Sequence, residues 1–105
     1  VIAANRKISQ SKYLTNGTHK ASIQSIYESL DENLNRVLVI KFENKEGFAA
    51  LKLPIEMNNK LSLIIGQLGK LGGFIPGTHV KLAMLIGIEY NVTVNNNKII
   101  KIKGT

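Results

Sequence analysis

Apolar and polar residues alternate from Thr18 to Glu28, with Ala21, Ile23, Ser25 and Tyr27 on one face and Lys20, Ser22, Gln24 and Glu28 on the other. Period-two alternation marks a half-buried strand, because successive side chains leave a pleated backbone on opposite sides. Ile26 breaks the register, which predicts a bulge or bend in this first strand. After the polar loop Leu30 to Asn35, the segment Arg36 to Glu43 is rich in β-branched residues and places Leu38, Ile40 and Phe42 together, predicting a second strand. A turn at Asn44-Lys45-Glu46-Gly47 leads into Phe48 to Leu53, a third strand ended by Pro54, which cannot donate to a ladder. The first half therefore reads as a three-stranded meander.

The period changes at Asn58. Leu61, Ile64, Ile65, Leu68 and Leu71 recur at helical spacing, Asn58 or Asn59 supplies a cap, and Gly72-Gly73 with Pro76 ends the helix. From His79 to Tyr90 alternation returns, with Val80, Leu82, Met84, Ile86 and Ile88 on one face, predicting a long fourth strand bent or closely approached at Gly87. Asn95-Asn96-Asn97 tolerates positive φ and predicts a tight turn into a fifth strand, Lys98 to Lys103.

A chain of 105 residues holds one compact domain, and 44% hydrophobic content is that of a folded protein. Residues 1–105 are read as that domain, with 1–12 as a flexible N-terminal arm. Without cysteine there is no disulfide framework, thiol catalysis or thiolate metal site, which fits a cytoplasmic protein. The longest apolar run, Leu82 to Ile88, is about a third of a membrane-spanning helix, and Val1 to Lys7 lacks the order of a signal peptide, so no membrane or export address is expected.

Charge changes the picture. Residues 28–89 hold seven bases and seven acids, so the net charge of +7 comes from Arg6, Lys7, Lys12 and Lys20 at one end and Lys98, Lys101 and Lys103 at the other. If the fold brings these ends to one side, they attract a polyanion through counterion release; scattered, they are a solvated surface.

Five strands with one helix between the third and fourth is the element order of the OB-fold, a small Greek-key β-barrel. The chain also resembles the small single-stranded-DNA-binding proteins of bacteriophages over about residues 12 to 103. The resemblance is carried by Lys12-Tyr13-Leu14 with Gly17, the Leu38 to Glu43 strand, the Leu61 to Gly72 helix, Gly77 to Leu82 and Glu89-Tyr90-Asn91. It implies an OB-fold that coats single-stranded DNA in phage replication and recombination, in the cytoplasm of the bacterial host. It also implies a homo-oligomer with recombinase or replication proteins as partners, and a dimer is favoured on the separate ground that so small a barrel leaves edges a two-fold partner can cover. The chain departs from better-known members in having no tryptophan. It also ends at Lys103-Gly104-Thr105 without an acidic tail, so recruitment through such a tail is not expected.

Binding a single strand without sequence preference needs cations that follow phosphates and aromatic faces on which bases stack. Phe48 shares a parity with Ala50 and Lys52, opposite to Leu51 and Leu53, which puts an aromatic beside a lysine on an outer face. Tyr13, before the first strand, and Tyr90, before the last loop, are further candidate platforms; Tyr27 suits a platform or the inner packing of its strand equally. Lys12, Lys20, Arg36, Lys41, Lys98 and Lys101 are the candidate phosphate contacts, each equally suited to guarding a strand edge. Glu28, Asp31 and Glu32 oppose this reading, because the loop that carries them flanks the ligand in many OB-folds, and here it is expected to turn away or face a protein.

Chemistry beyond binding has little to stand on. His19 and His79 have no acid or nucleophile at a recognisable spacing. The Gly66 to Gly73 run lacks the Ser or Thr that follows Gly-Lys in a phosphate loop and lies at a helix end. No carboxylate spacing suits a metal, so neither an enzyme nor a cofactor is expected. The competing class is an assembly module in which Phe48, Phe74 and Leu30 or Leu34 form an oligomer or partner surface.

Overall fold

A computed structural model describes residues 12–56, 58–75 and 81–105. The expected residues Arg6, Lys7, Pro76, His79 and Val80, and the capping side chains of Asn58 and Asn59, lie outside the described residues. The elements are β1 (Gly17–Leu30), β2 (Arg36–Asn44), β3 (Gly47–Pro54), α1 (Asn58–Leu71), a short 3-10 helix (Leu82–Leu85), β4 (Glu89–Asn95) and β5 (Lys98–Gly104). The described residues are thus mostly strand with one α-helix, and the strands close into a ring in the order β1-β2-β3-β5-β4.

The expected meander is present: β1 pairs with β2 and β2 with β3, all antiparallel. Its second turn is held by Asn44, whose Oδ1 accepts the N–H groups of Glu46 (2.7 Å) and Gly47 (3.2 Å) while its Nδ2 donates to the Lys20 carbonyl at 3.0 Å. The ring closes because β1 is long enough to serve two partners. Its first part, Gly17 to Ser22, pairs with β4, and its later part pairs with β2. Between β3 and β5 the seam is narrow, a single parallel pairing of Ala50 with Lys98.

The irregularity expected at Ile26 falls slightly earlier, as a register shift between Ile23 and Ser25. One extra residue on a strand turns everything after it to the other face. Ala21 and Ile23 are therefore core residues, Ile26 packs against that core, and Tyr27, opposite Val39, is about half exposed on the outer face. The face shared by Ala21, Ile23, Ser25 and Tyr27 in the simple alternation does not form.

The helix forms as its periodicity predicts. Leu68 is buried in the core, and Leu61, Ile64, Ile65 and Leu71 pack against it. Its end is a Schellman motif: Phe74 N–H bonds to the Gly69 carbonyl at 3.0 Å and Gly73 N–H to the Lys70 carbonyl at 3.2 Å. Gly73 has the φ of 93° that this geometry requires. Phe74 packs against the core rather than standing out.

The long fourth strand expected from His79 to Tyr90 is not what the chain does. Leu82–Leu85 coils into the 3-10 helix, and the strand begins only at Glu89. A 3-10 helix has three residues per turn, so Leu82, Leu85 and Ile88 turn inward, Leu85 completely, while Met84 and Ile86 are exposed. A continuous apolar run satisfies period two and period three equally. Gly87 decides between them: at a φ of 91° it turns the chain toward β1, where its N–H bonds to the Ile23 carbonyl at 2.8 Å.

The correction reaches Tyr90, which lies within β4 rather than before a loop. It is fully buried, stands edge-on to Phe42 with ring centroids 6.0 Å apart, and donates its hydroxyl to the Leu68 carbonyl at 2.6 Å. Tyr90 ties the ring to the C-terminal turn of α1, and its face is closed to a ligand.

Candidate nucleic-acid interface

On the outer side of β1, β2 and β3 the structure forms a groove of about 540 Å³. Its aromatic lining is Tyr13, Tyr27 and Phe48; Val39 and Ala50 contribute apolar surface, and Lys52, Lys98, Asn96 and Asn97 supply polar groups. Val39 is 3% exposed although it points away from the core, because its outer-face neighbours cover it. Alternation along β3 puts Phe48, Ala50 and Lys52 on this face, opposite Glu43, Lys41 and Val39 of β2.

Phe48 is half-buried at one end of the groove. The Tyr13 ring lies against it at 4.6 Å between centroids, tilted by 36°, and the Lys41 ammonium stands 4.5 Å from its centroid. A cation over an aromatic face is attracted by the ring quadrupole. Lys41 also lies 3.8 Å from Glu43. Tyr13 and Tyr27 are each about half exposed, so their surfaces remain open to a planar partner.

Tyr13 owes its position to a short parallel bridge with β3. Leu14 N–H bonds to the Phe48 carbonyl at 2.8 Å, and Phe48 N–H bonds to the Lys12 carbonyl at 2.9 Å. Lys12 therefore belongs to the folded unit and flanks Tyr13. Gly47 makes this approach possible: a Cβ there would lie 2.5 Å from the Lys12 oxygen, 3.0 Å from Tyr13 C and 3.1 Å from Leu14 N. These are backbone atoms that cannot swing aside. Gly47→Ala is expected to cost about 1–3 kcal/mol of stability and to part Tyr13 from Phe48, read as a lower denaturant midpoint and weaker ligand binding. An unchanged midpoint would show that the 12–14 segment relaxes freely.

The opposite wall is the β4–β5 turn. Asn96 and Asn97 have φ of 52° and 67°, the two left-handed residues of a two-residue hairpin, as the asparagine run predicts. Asn16 Oδ1 accepts the Asn96 N–H at 2.9 Å and fixes the turn to the segment that carries Tyr13.

Of the residues expected to bind, Tyr13, Phe48, Lys52 and Lys98 line the groove, and Lys41 and Lys12 adjoin it. Arg36 does not line it; its Nη2 donates to Glu28 Oε1 at 2.7 Å. Lys20 and Lys101 lie on another face, formed by β1, β4 and β5. Tyr90 is excluded by burial. Tyr27, left open between platform and inner packing, lines the groove, and Asn96 and Asn97 are polar lining residues not expected to bind from sequence. The break at Ile26 was the signal for Tyr27, since a bulge before it reverses its side.

Two of the three acids, Glu28 near the end of β1 and Asp31 in the β1–β2 loop, have local work. Glu28 pairs with Arg36, and Asp31 Oδ1 accepts the N–H groups of Asn35 at 2.9 Å and Asn33 at 2.8 Å. The hydrogen bond from Asn35 chiefly holds the Asp31 carboxyl below its ordinary range. No described helix is long and apolar enough to cross a membrane. No protein-family model matches this chain, and no curated protein does.

Proposed function

We propose that this protein is an OB-fold that binds single-stranded DNA without sequence preference. In the setting that its resemblance implies, it coats and protects the strand in phage replication and recombination. The observation that carries this reading is the groove: three aromatic side chains and the lysines Lys41, Lys52 and Lys98 meet on the outer face of β1–β3, beside the β4–β5 turn. This is the surface through which OB-folds take oligonucleotides, and the ring order with its narrow β3–β5 seam supports that fold. Bases stack on the rings whatever their identity, because every base has a π-face, and the lysines meet phosphates. The same reading proposes a homo-oligomer, with recombinase or replication proteins as partners.

The test is fluorescence anisotropy of a labelled oligo-dT beside a matched duplex at two salt concentrations. Single-strand binding is expected to be at least about tenfold tighter. For an oligonucleotide that fills only the groove, three lysines predict a slope of log K on log salt near about −2. Equal, weak binding to both would sink the reading.

An assembly module without nucleic-acid binding draws on a different observation, the exposure of Leu30 (56%) and Leu34 (74%) at the β1–β2 loop. Sedimentation together with oligo-dT anisotropy of wild type and Leu30→Ser/Leu34→Ser separates the two, because only the DNA reading has wild type bind the oligonucleotide. Under the assembly reading the variant dissociates, whereas under the DNA reading it retains oligonucleotide affinity.

A further inference from the structure

Three of the cations outside the groove, Lys20, Lys101 and Lys103, share one face. Paired residues on antiparallel strands point to the same side. The register makes two adjacent rows across β1, β4 and β5: Thr18–Thr93–Lys101 and Lys20–Asn91–Lys103. Lys20, Lys101 and Lys103 are exposed on this face, with no ion-pair partner among the described residues. Thr18 and Thr93 hydroxyls lie 3.0 Å apart within the first row, and Glu89, opposite Ser22, stands on the same face in the next row beyond Lys20–Asn91–Lys103. Lys20 of the N-terminal charge and Lys101 and Lys103 of the C-terminal charge are thus joined through β4.

This face is continuous with the groove. Lys98 lines the groove and also pairs with Asn95 at the start of the β4–β5 ladder, on the same strand as Lys101 and Lys103. Residues two apart on a strand are separated by roughly 7 Å, comparable to the step between successive phosphates of an extended strand. No aromatic lies in these rows, so they offer charge and hydroxyls without a stacking platform.

We infer that the outward face of β1, β4 and β5 is a second stretch of the binding path, which takes the phosphates of a single strand after its bases leave the aromatic groove at Lys98. This rests on the single-strand reading of the groove. The stretch holds the backbone and leaves the bases free, so it adds affinity only to strands long enough to reach it.

The experiment compares wild type with Lys20→Gln/Lys101→Gln/Lys103→Gln on oligo-dT of about 6 and about 20 nucleotides, one near the short end of OB-fold site sizes and one beyond the long end, across a salt series. Wild type is expected to bind the longer strand with a slope steeper by about 2, from three further phosphates. The variant is expected to keep the short-strand affinity and to bind the long strand with the short-strand slope, at least about tenfold weaker at low salt. These are exposed substitutions, so an unchanged melting temperature shows that the fold is intact. Equal loss at both lengths, or none at either, overturns the second stretch while leaving the groove. So does a variant that retains long-strand binding but loses binding to poly-glutamate, which would make the face a seat for acidic protein. Wild type binding neither oligonucleotide is a different failure, because it removes the groove reading and this inference with it.

Discussion

Tyr13→Ala and Tyr27→Ala are each expected to weaken oligo-dT binding by about 5- to 150-fold, and the double variant to lose most of the affinity. Removing one stacked aromatic costs roughly 1–3 kcal/mol per base, and each 1.4 kcal/mol is tenfold. Both rings are about half exposed and neither belongs to the core, so the loss is expected with little change in melting temperature. Phe48→Ala should show a loss of similar size with a small drop in stability, because Phe48 packs against Tyr13 and under the Lys41 ammonium. Anisotropy titrations with parallel thermal melts measure both quantities. Affinity unchanged in the double variant would mean that bases do not stack in this groove.

Tyr90→Ala is expected to fail in the opposite way, by costing about 3–5 kcal/mol of stability, which most small domains barely survive. Tyr90 is fully buried against Phe42 and bonded to the Leu68 carbonyl, so its removal leaves a cavity and loosens the helix from the ring. The milder Tyr90→Phe keeps the packing and removes the hydroxyl, costing about 1 kcal/mol. Leu68 O keeps a second donor, Gly72 N–H at 2.9 Å, which limits the damage.

The hydroxyl also sets an alkaline limit. Burial pushes the Tyr90 pKa up to about 12, against about 10 in the unfolded chain. Below pH 10 the group is protonated in both states and its contribution is complete. Between about pH 10 and 12 only the unfolded chain releases the proton, so stability falls by about 1.4 kcal/mol per pH unit from this group, and above 12 the contribution is gone. Denaturant unfolding across this window should therefore show a steeper decline for wild type than for Tyr90→Phe. Parallel curves for the two proteins would refute the account of a buried, proton-holding tyrosine.

The same two tyrosines show where one-dimensional reasoning stops. From sequence, Tyr27 and Tyr90 were both aromatics near strand ends, with nothing to separate a platform from a core side chain. Their fates were decided by two backbone irregularities. The register shift between Ile23 and Ser25 turns Tyr27 outward, and the left-handed Gly87, after the 3-10 helix, sets where β4 begins and hence that Tyr90 lies inside. A bulge moves by a residue without altering the local alternation much, so Ile26 announced it without locating it. By contrast, Phe48 and Lys52 were legible on the outer face because β3 is regular from end to end.

What the chain specifies locally, it specifies by itself. The meander, the helix with its Gly72-Gly73 stop, the Asn96-Asn97 turn and the imbalance of charge all depend on contacts within a few residues or on composition. The remainder needed closure of the ring. Closure brings Tyr13 onto Phe48 through the space that Gly47 leaves open, and sets the asparagine turn across from β3. It also lines Lys20 up with Lys103, although more than eighty residues separate them. Such pairings rest on strand register, and register is chosen by burying one face of every strand at once, a condition that no single segment of the sequence can express.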